Sequence, residues 1–399
     1  MRLSRDRLIF APMTRWENYL RSAAAVLEEY DGSVPLHHFL KQFFKSRPQM
    51  GSRDRKTVQQ LVYRYYRLGR WQTDMRVEDR LLLATFLCET APDAMLESLR
   101  PEFAGHISAP LAEKLAVAQL DWAPAAVFPF QDHLSPSIEA DAFTQSFLQQ
   151  PRLFIRARPG KKKAIVKLLE QAGIVYATVG TDAIALPNGT KTEAILPEKS
   201  WYEIQDLSSQ ETGLRFHPKA KEYWWDCCAA SGGKSILLHD HQPDIRLLVS
   251  DVRSSILDNL RKRFTEAGIR DYASRTLDLT DPKLGGHLPH TSFNGIILDA
   301  PCTGSGTWGR SPENLYFFEA AKIAEYAALQ KKIAKNVSKF LAPGGTLVYI
   351  TCSVFREENE DAAAFLERDC GLRIVESTVV EGFRRFADSM FVTVAQRDK

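Results

Sequence analysis

From about residue 201 onward, short unbroken apolar runs alternate with helical stretches, and nothing else in the chain restricts its fold as tightly. The runs are "EYWWDCCA", "RLLVSD", "NGIILDAP" and "GGTLVYITCS"; "SSILDNLRKRFTEAG" and "ENLYFFEAAKIAEYAALQKKIAKNVSKFL" are among the helical stretches between them. A strand that is apolar throughout buries both faces, and strands separated by helices lie parallel. The expectation for residues 201–399 is therefore an α/β, doubly wound, Rossmann-like parallel sheet. Such sheets bind ligands outside the carboxyl ends of their strands. The residues just after each run are the candidates for function.

The chain has 399 residues, which favours two or three domains. Residues 1–125 read as all-helical, with "TRWENYLRSAAAVLEEY" capped at Thr14. In "RDRKTVQQLVYRYYRLGRW", Val58, Leu61, Val62 and Tyr65 form an apolar stripe. Arg53, Lys56, Gln60, Arg64 and Arg67 fall opposite, either as a solvated face or as a phosphate-facing one. Residues 126–200 read as a small α+β unit: "RLFIRARP" a strand, "KKKAIVKLLEQAGI" a helix, "VYATVGTDAIAL" two strands about Gly180. Its basic residues Arg152, Arg156, Arg158 and Lys161 to Lys163 suggest contact with a nucleic-acid backbone, although such clusters also serve as plain surface.

At the strand ends, "DCCAASGGKS" sends a strand through a Gly-containing turn into a helix that starts near Lys234. Glycines let backbone N–H groups approach a ligand, and the helix start adds positive partial charge. The stretch is neither a P-loop nor GxGxxG. Asp251, ending the second run, suits ribose hydroxyls. Asp278, in "RTLDLTD", suits an adenine amino group. Either carboxylate can equally be a helix cap. Asp299, Pro301 and Cys302 end the next run, with Arg310 following in "WGRSPE". Cys352 ends the last.

A lone cysteine on a sheet is usually an inert small hydrophobe. Two at adjacent strand ends beside a nucleoside site suit attack and release. A thiolate adding to C6 of cytosine makes C5 nucleophilic toward a methyl donor; a second thiol assists departure; Asp299 can hold the N3 and N4 edge of the base. The base must leave its stack to reach such a site.

These motifs, with "LVYITCSVFREENED", "YEIQDLSSQETG" and "GSRDRKTVQQLVYRYYRLGRW", resemble the RNA 5-methylcytosine methyltransferases, in particular the RsmB-like 16S rRNA type. The resemblance implies S-adenosyl-L-methionine as cofactor, held by Cys228, Ala229, Ala230, Ser231, Gly232, Gly233 and Lys234 with Asp251, Asp278 and Asp299. It implies Cys352 as nucleophile, Cys302 as the release residue, and Pro301 and Arg310 on the substrate side. It also implies a NusB-like fold for residues 1–125. DNA cytosine methyltransferases attack with a Cys in a Pro-Cys motif, so having both thiols favours the RNA class. Two positions depart from the family pattern. Ser231 stands where Pro is common, and Gly309 where a first arginine is frequent.

The expected partner is RNA, rRNA in the first place. The alternatives are methylation of tRNA and an RNA-binding assembly factor with little catalysis. The net charge of +3 neither demands nor excludes a nucleic acid. Six cysteines without a CxxC pair argue against a disulfide framework or a zinc site and suit a reducing, cytoplasmic setting. No run approaches the ~20 apolar residues of a membrane span, and "MRLSRDRLIFAPMTRW" does not read as a leader.

Overall fold

The computed structural model describes residues 14–290 and 292–399, so most of the opening stretch read above lies outside the described residues. Thr14 caps the first helix, Arg15–Glu29: its hydroxyl accepts from Glu17 N–H, and the Glu17 carboxylate accepts from Thr14 N–H at 2.7 Å. Helices Leu36–Lys45, Ser52–Arg67 and Val77–Cys88 follow. Val58, Leu61 and Val62 are buried, as their spacing predicts. Arg67 is buried too, and Arg64 pairs with Glu89, so the basic face of this helix is shorter than the sequence suggests. The helix expected over 313–341 is broken. Asn314–Phe317 is a separate turn of helix, and Ala321–Val337 is the long one.

Two compact units result. One contains the chain up to Pro129 together with Ser311–Phe317; the other contains Phe130–Arg310 and Phe318–Lys399. Within the first, Leu36 N–H donates to Glu313 Oε1 at 3.1 Å and the Arg70 guanidinium donates to Tyr316 O at 2.9 Å.

The second unit holds two sheets. The smaller comprises β1 (Leu153–Ala157), β2 (Ala177–Val179), β3 (Ala183–Leu186) and β4 (Tyr202–Ile204), antiparallel in the order β2-β3-β1-β4. Gly180 turns β2 into β3 with φ +54°. Two of the arginines expected on a nucleic-acid face point inward instead. Arg156 and Arg158 both pair with Asp240, at 2.6 and 2.7 Å, and the Asp240 side chain is 4% exposed. Among the other members of that basic cluster, Arg152, Lys161 and Lys163 are exposed.

The larger sheet comprises β5 (Tyr223–Asp226), β6 (Arg246–Asp251), β7 (Ala273–Thr276), β8 (Phe293–Asp299), β9 (Leu341–Thr351), β10 (Arg373–Val380) and β11 (Met390–Gln396), in the order β10-β11-β9-β8-β5-β6-β7. Strands β5 to β9 are parallel. The sheet as a whole is mixed, not wholly parallel: β11 runs antiparallel to both β9 and β10. The short 381–389 connection has no helix long enough to carry the chain back for a parallel crossover. Alternate residues serve opposite faces. Trp225, Ile296 and Leu347 pack on one side, and Trp224, Ile297 and Val348 on the other. The reversal of order between β5 and β8 opens the crevice that holds the candidate site. No helix among the described residues is long and apolar enough to cross a membrane.

Candidate active site

The turn after β5 is shaped by two positive-φ residues, Ala230 at +45° and Gly232 at +87°. A Cβ on Gly232 would also lie 2.7 Å from the Phe264 ring. The helix Gly233–His241 begins directly afterward. Asp251 Oδ2 accepts from Ala230 N–H at 3.1 Å, tying the end of β6 to the turn. Ser231 is held by Arg263, which donates to its hydroxyl at 2.7 Å and its carbonyl at 3.0 Å. Arg263 also pairs with Glu203 on β4. The smaller sheet thus helps fix the loop of the larger one.

Ala230 and Ser231 line an open cleft of about 290 Å³ together with Cys228, Ala229, Gly233, Lys234 and Asp299; Gly232 and Asp251 are not part of its lining. Lys234 Nζ lies 2.7 Å from Asp299 Oδ2. Burial alone would lower the Lys234 pKa, but Asp299 outweighs it and holds the ammonium above its ordinary value. Asp226 is buried at the base, where Ser235 Oγ donates to Oδ2 at 2.6 Å and Oδ1 has no partner. Burial pushes the Asp226 carboxyl up to about 7. An orphaned buried oxygen, a close-approach backbone turn and a helix start together fit a polar, nucleoside-sized ligand.

Gln205, Asp206 and Ser209 line the same cleft, as does Arg263; none was singled out from sequence, although "YEIQDLSSQETG" contains the first three. Asp278 is placed differently from the other carboxylates. Its Oδ1 accepts from Thr280 N–H and Oγ1, both at 2.8 Å, which holds its carboxyl below the usual range, and it is not part of the cleft lining.

Neighbouring β8 and β9 bring Cys302 and Cys352 together, with sulfurs 3.2 Å apart. The hydrogen bond shared with Cys352, and then burial, push the Cys302 thiol well above its ordinary pKa. Beneath the pair lies Glu358, buried and not evident from sequence. It accepts from Thr303 N–H at 2.9 Å, Thr303 Oγ1 at 2.6 Å, Gln330 Nε2 at 2.9 Å and the Ser353 hydroxyl. Thr351 Oγ1 donates to Asn359 Oδ1 at 2.6 Å, and Asn359 Nδ2 donates to Ser353 O at 3.0 Å. The hydroxyls flanking Cys352 therefore anchor its turn. Pro301 O accepts from Gln330 Nε2 at 3.0 Å. Arg310 is bound at 2.7 Å to both Asp206 and Asp388.

Residues 214–389 match the family model described as 16S rRNA methyltransferase RsmB/F. The ribosomal RNA small subunit methyltransferase B of Enterobacter sp. (strain 638) is 31% identical over 240 residues, covering 57% of this chain and 54% of that protein. Its namesake from Klebsiella pneumoniae is 30% identical over 283 residues, covering 68% and 61%. The chain spans about half the length of the curated relatives it matches. The solved structure of PH0851 superposes with a TM-score of 0.69 at 18% identity, covering 96% of this chain and 98% of that one. NSun6 from Pyrococcus horikoshii with SFG gives a TM-score of 0.58 at 16% identity, covering 65% and 94%. Both likenesses concern the fold.

Proposed function

We propose that the chain is a member of the RsmB/F methyltransferase family, whose model matches residues 214–389, and that it transfers a methyl group from S-adenosylmethionine to C5 of a cytosine in RNA, with 16S rRNA as the substrate. The observation that carries this reading is the pair of sulfurs, Cys302 and Cys352, 3.2 Å apart beside the cleft that contains Lys234 and Asp299.

The turn from Cys228 to Lys234, with Asp251 behind it, holds S-adenosylmethionine. Bound there, the cofactor supplies an electrophilic methyl group. Asp299 has one oxygen on Lys234 and the other available to accept from the cytosine amino group. Cys352 adds as thiolate to C6, which gives C5 enamine character. Once C5 carries its methyl group, loss of the C5 proton and expulsion of the Cys352 sulfur restore the aromatic ring. Cys302, whose proton affinity is raised by its neighbour and by burial, suits the release step.

The helical region takes the NusB-like fold in this reading and, with the small sheet, grips structured RNA. Ser231 and Gly309, the two departures from the family pattern, are the support for an assembly factor with weak or no catalysis. The Arg263 contacts to Ser231 supply the rigidity that a proline would give, which weakens that alternative.

The test uses labelled S-adenosylmethionine and unmodified RNA, followed by mapping of 5-methylcytosine. Cys302→Ala is expected to accumulate a covalent protein–RNA adduct, and Cys352→Ala to form none. Normal methylation by both variants would refute the two-thiol chemistry. Failure of the native chain to modify any RNA would leave the assembly-factor reading.

A further inference from the structure

The 381–389 loop between β10 and β11 carries a residue that the chemistry above does not use. Phe386 has φ +57°, a left-handed conformation that bulky side chains rarely adopt. The residue is 38% exposed, and no other Phe, Tyr or Trp among the described residues is exposed to this degree. Backbone strain of this kind concentrates at ligand sites, where the surrounding structure enforces it.

The enforcement is visible. Arg152 N–H donates to Phe386 O at 2.8 Å, and Ala387 N–H donates to Gly382 O at 3.0 Å. Ser389 N–H donates to Gly306 O at 2.8 Å, and Gly306 N–H donates to Cys352 O at 2.9 Å. A Cβ on Gly306 would lie 2.0 Å from Ser389 O, so only glycine allows these backbones to meet. Two hydrogen bonds therefore connect the Phe386 loop to the backbone of Cys352. Phe386 lines a small depression together with Gly306, Gly309 and Pro151. The exposed Arg152 guanidinium lies over one face of the Phe386 ring, 5.0 Å from its centre, so a base would stack on the other face.

We propose that Phe386 is a stacking platform for the nucleobase adjacent to the target cytosine, with Arg152 facing the adjoining phosphate. The proposal rests on the RNA-methyltransferase reading. A cytosine that leaves its stack to reach Cys352 also strips its neighbour of a stacking partner, and an exposed ring on a loop tied to the Cys352 backbone replaces it. Arg152 supplies the matching charge. Phe has no hydrogen-bonding group, so the platform accepts any base and sets affinity and register, not sequence.

The methylated cytosine is first mapped with native enzyme. RNA kinetics are then measured for Phe386→Ala, Phe386→Leu and Phe386→Trp, on RNA carrying the natural nucleotide or an abasic one on either side of the target. Phe386→Ala and Phe386→Leu are expected to raise KM for RNA by about 10-fold, with KM for S-adenosylmethionine and thermal midpoint unchanged, and Phe386→Trp to retain native behaviour. An abasic site on one side is expected to weaken the native enzyme equally and to cost Phe386→Ala nothing further. Native RNA kinetics in Phe386→Ala, or an abasic penalty that is the same in native and variant at both positions, overturns the platform alone. If the native enzyme methylates no RNA, the functional reading fails and the platform falls with it.

Discussion

Glu358 joins the two loops that present the thiols, because Thr303 follows Cys302 and Ser353 follows Cys352, and both hydroxyls donate to its carboxylate. Glu358→Ala would leave several buried donors without an acceptor, at a cost of about 1–3 kcal/mol for each. Urea denaturation should register that loss, and the adduct yield of a Cys302→Ala background should fall as the Cys352 sulfur loses its position. Asp226 gives a prediction in pH. Its carboxyl ordinarily titrates near 3.8, and burial, aided by Asp299 and Asp251 against Ser235 and Lys234, raises it to about 7 in the fold. Between those values the folded chain keeps a proton that the unfolded chain has released. Asp226 therefore makes stability decline as pH rises through that window. Asp226→Asn should flatten the decline, as read by denaturation midpoints at pH 5 and pH 8.

At the level of elements, Asp240 in the Gly233–His241 helix binds the small sheet to the large one through Arg156 and Arg158. Removing it strands two arginines, one of them buried. Asp240→Ala should cost about 3–5 kcal/mol, whereas a change at exposed Lys163 should cost little. The Ser231–Arg263 contact is smaller: Ser231→Ala should raise KM for S-adenosylmethionine by roughly 5-fold, as one hydrogen bond to a charged group is lost. The two arginines show where sequence reading stops. Arg156 alternates with Ile155 and Ala157, so its side of the strand was legible, but its partner lies 84 residues further along and leaves no local trace. The parallel strands were legible because burial on both faces makes them continuously apolar. The antiparallel return of β11 was not, since direction depends on the connection rather than on strand composition. Cys302 and Cys352 were legible as strand-end residues, while Glu358 looked like one more acid in "FREENED".

For the whole molecule, internal pairing of Arg64, Arg156 and Arg158 and burial of Arg67 reduce the cations available to RNA phosphates. Exposed Lys161 and Lys163 remain. Replacing both with alanine should flatten the dependence of log affinity on log salt by about 1.4, for single-stranded contacts at 0.7 each. Arg156→Ala should destabilise the fold instead. The return of Ser311–Phe317 to the helical unit has a consequence for biosynthesis. Leu36 and Glu313 are 277 residues apart. The helices are made before β5 to β8, yet Phe317, which packs against Gly32, and Tyr316 beside Tyr66 arrive only after those four strands have been translated. The helical segment thus closes its core only after those strands have been made, and until then it presents unfinished apolar surface to whatever holds nascent chains.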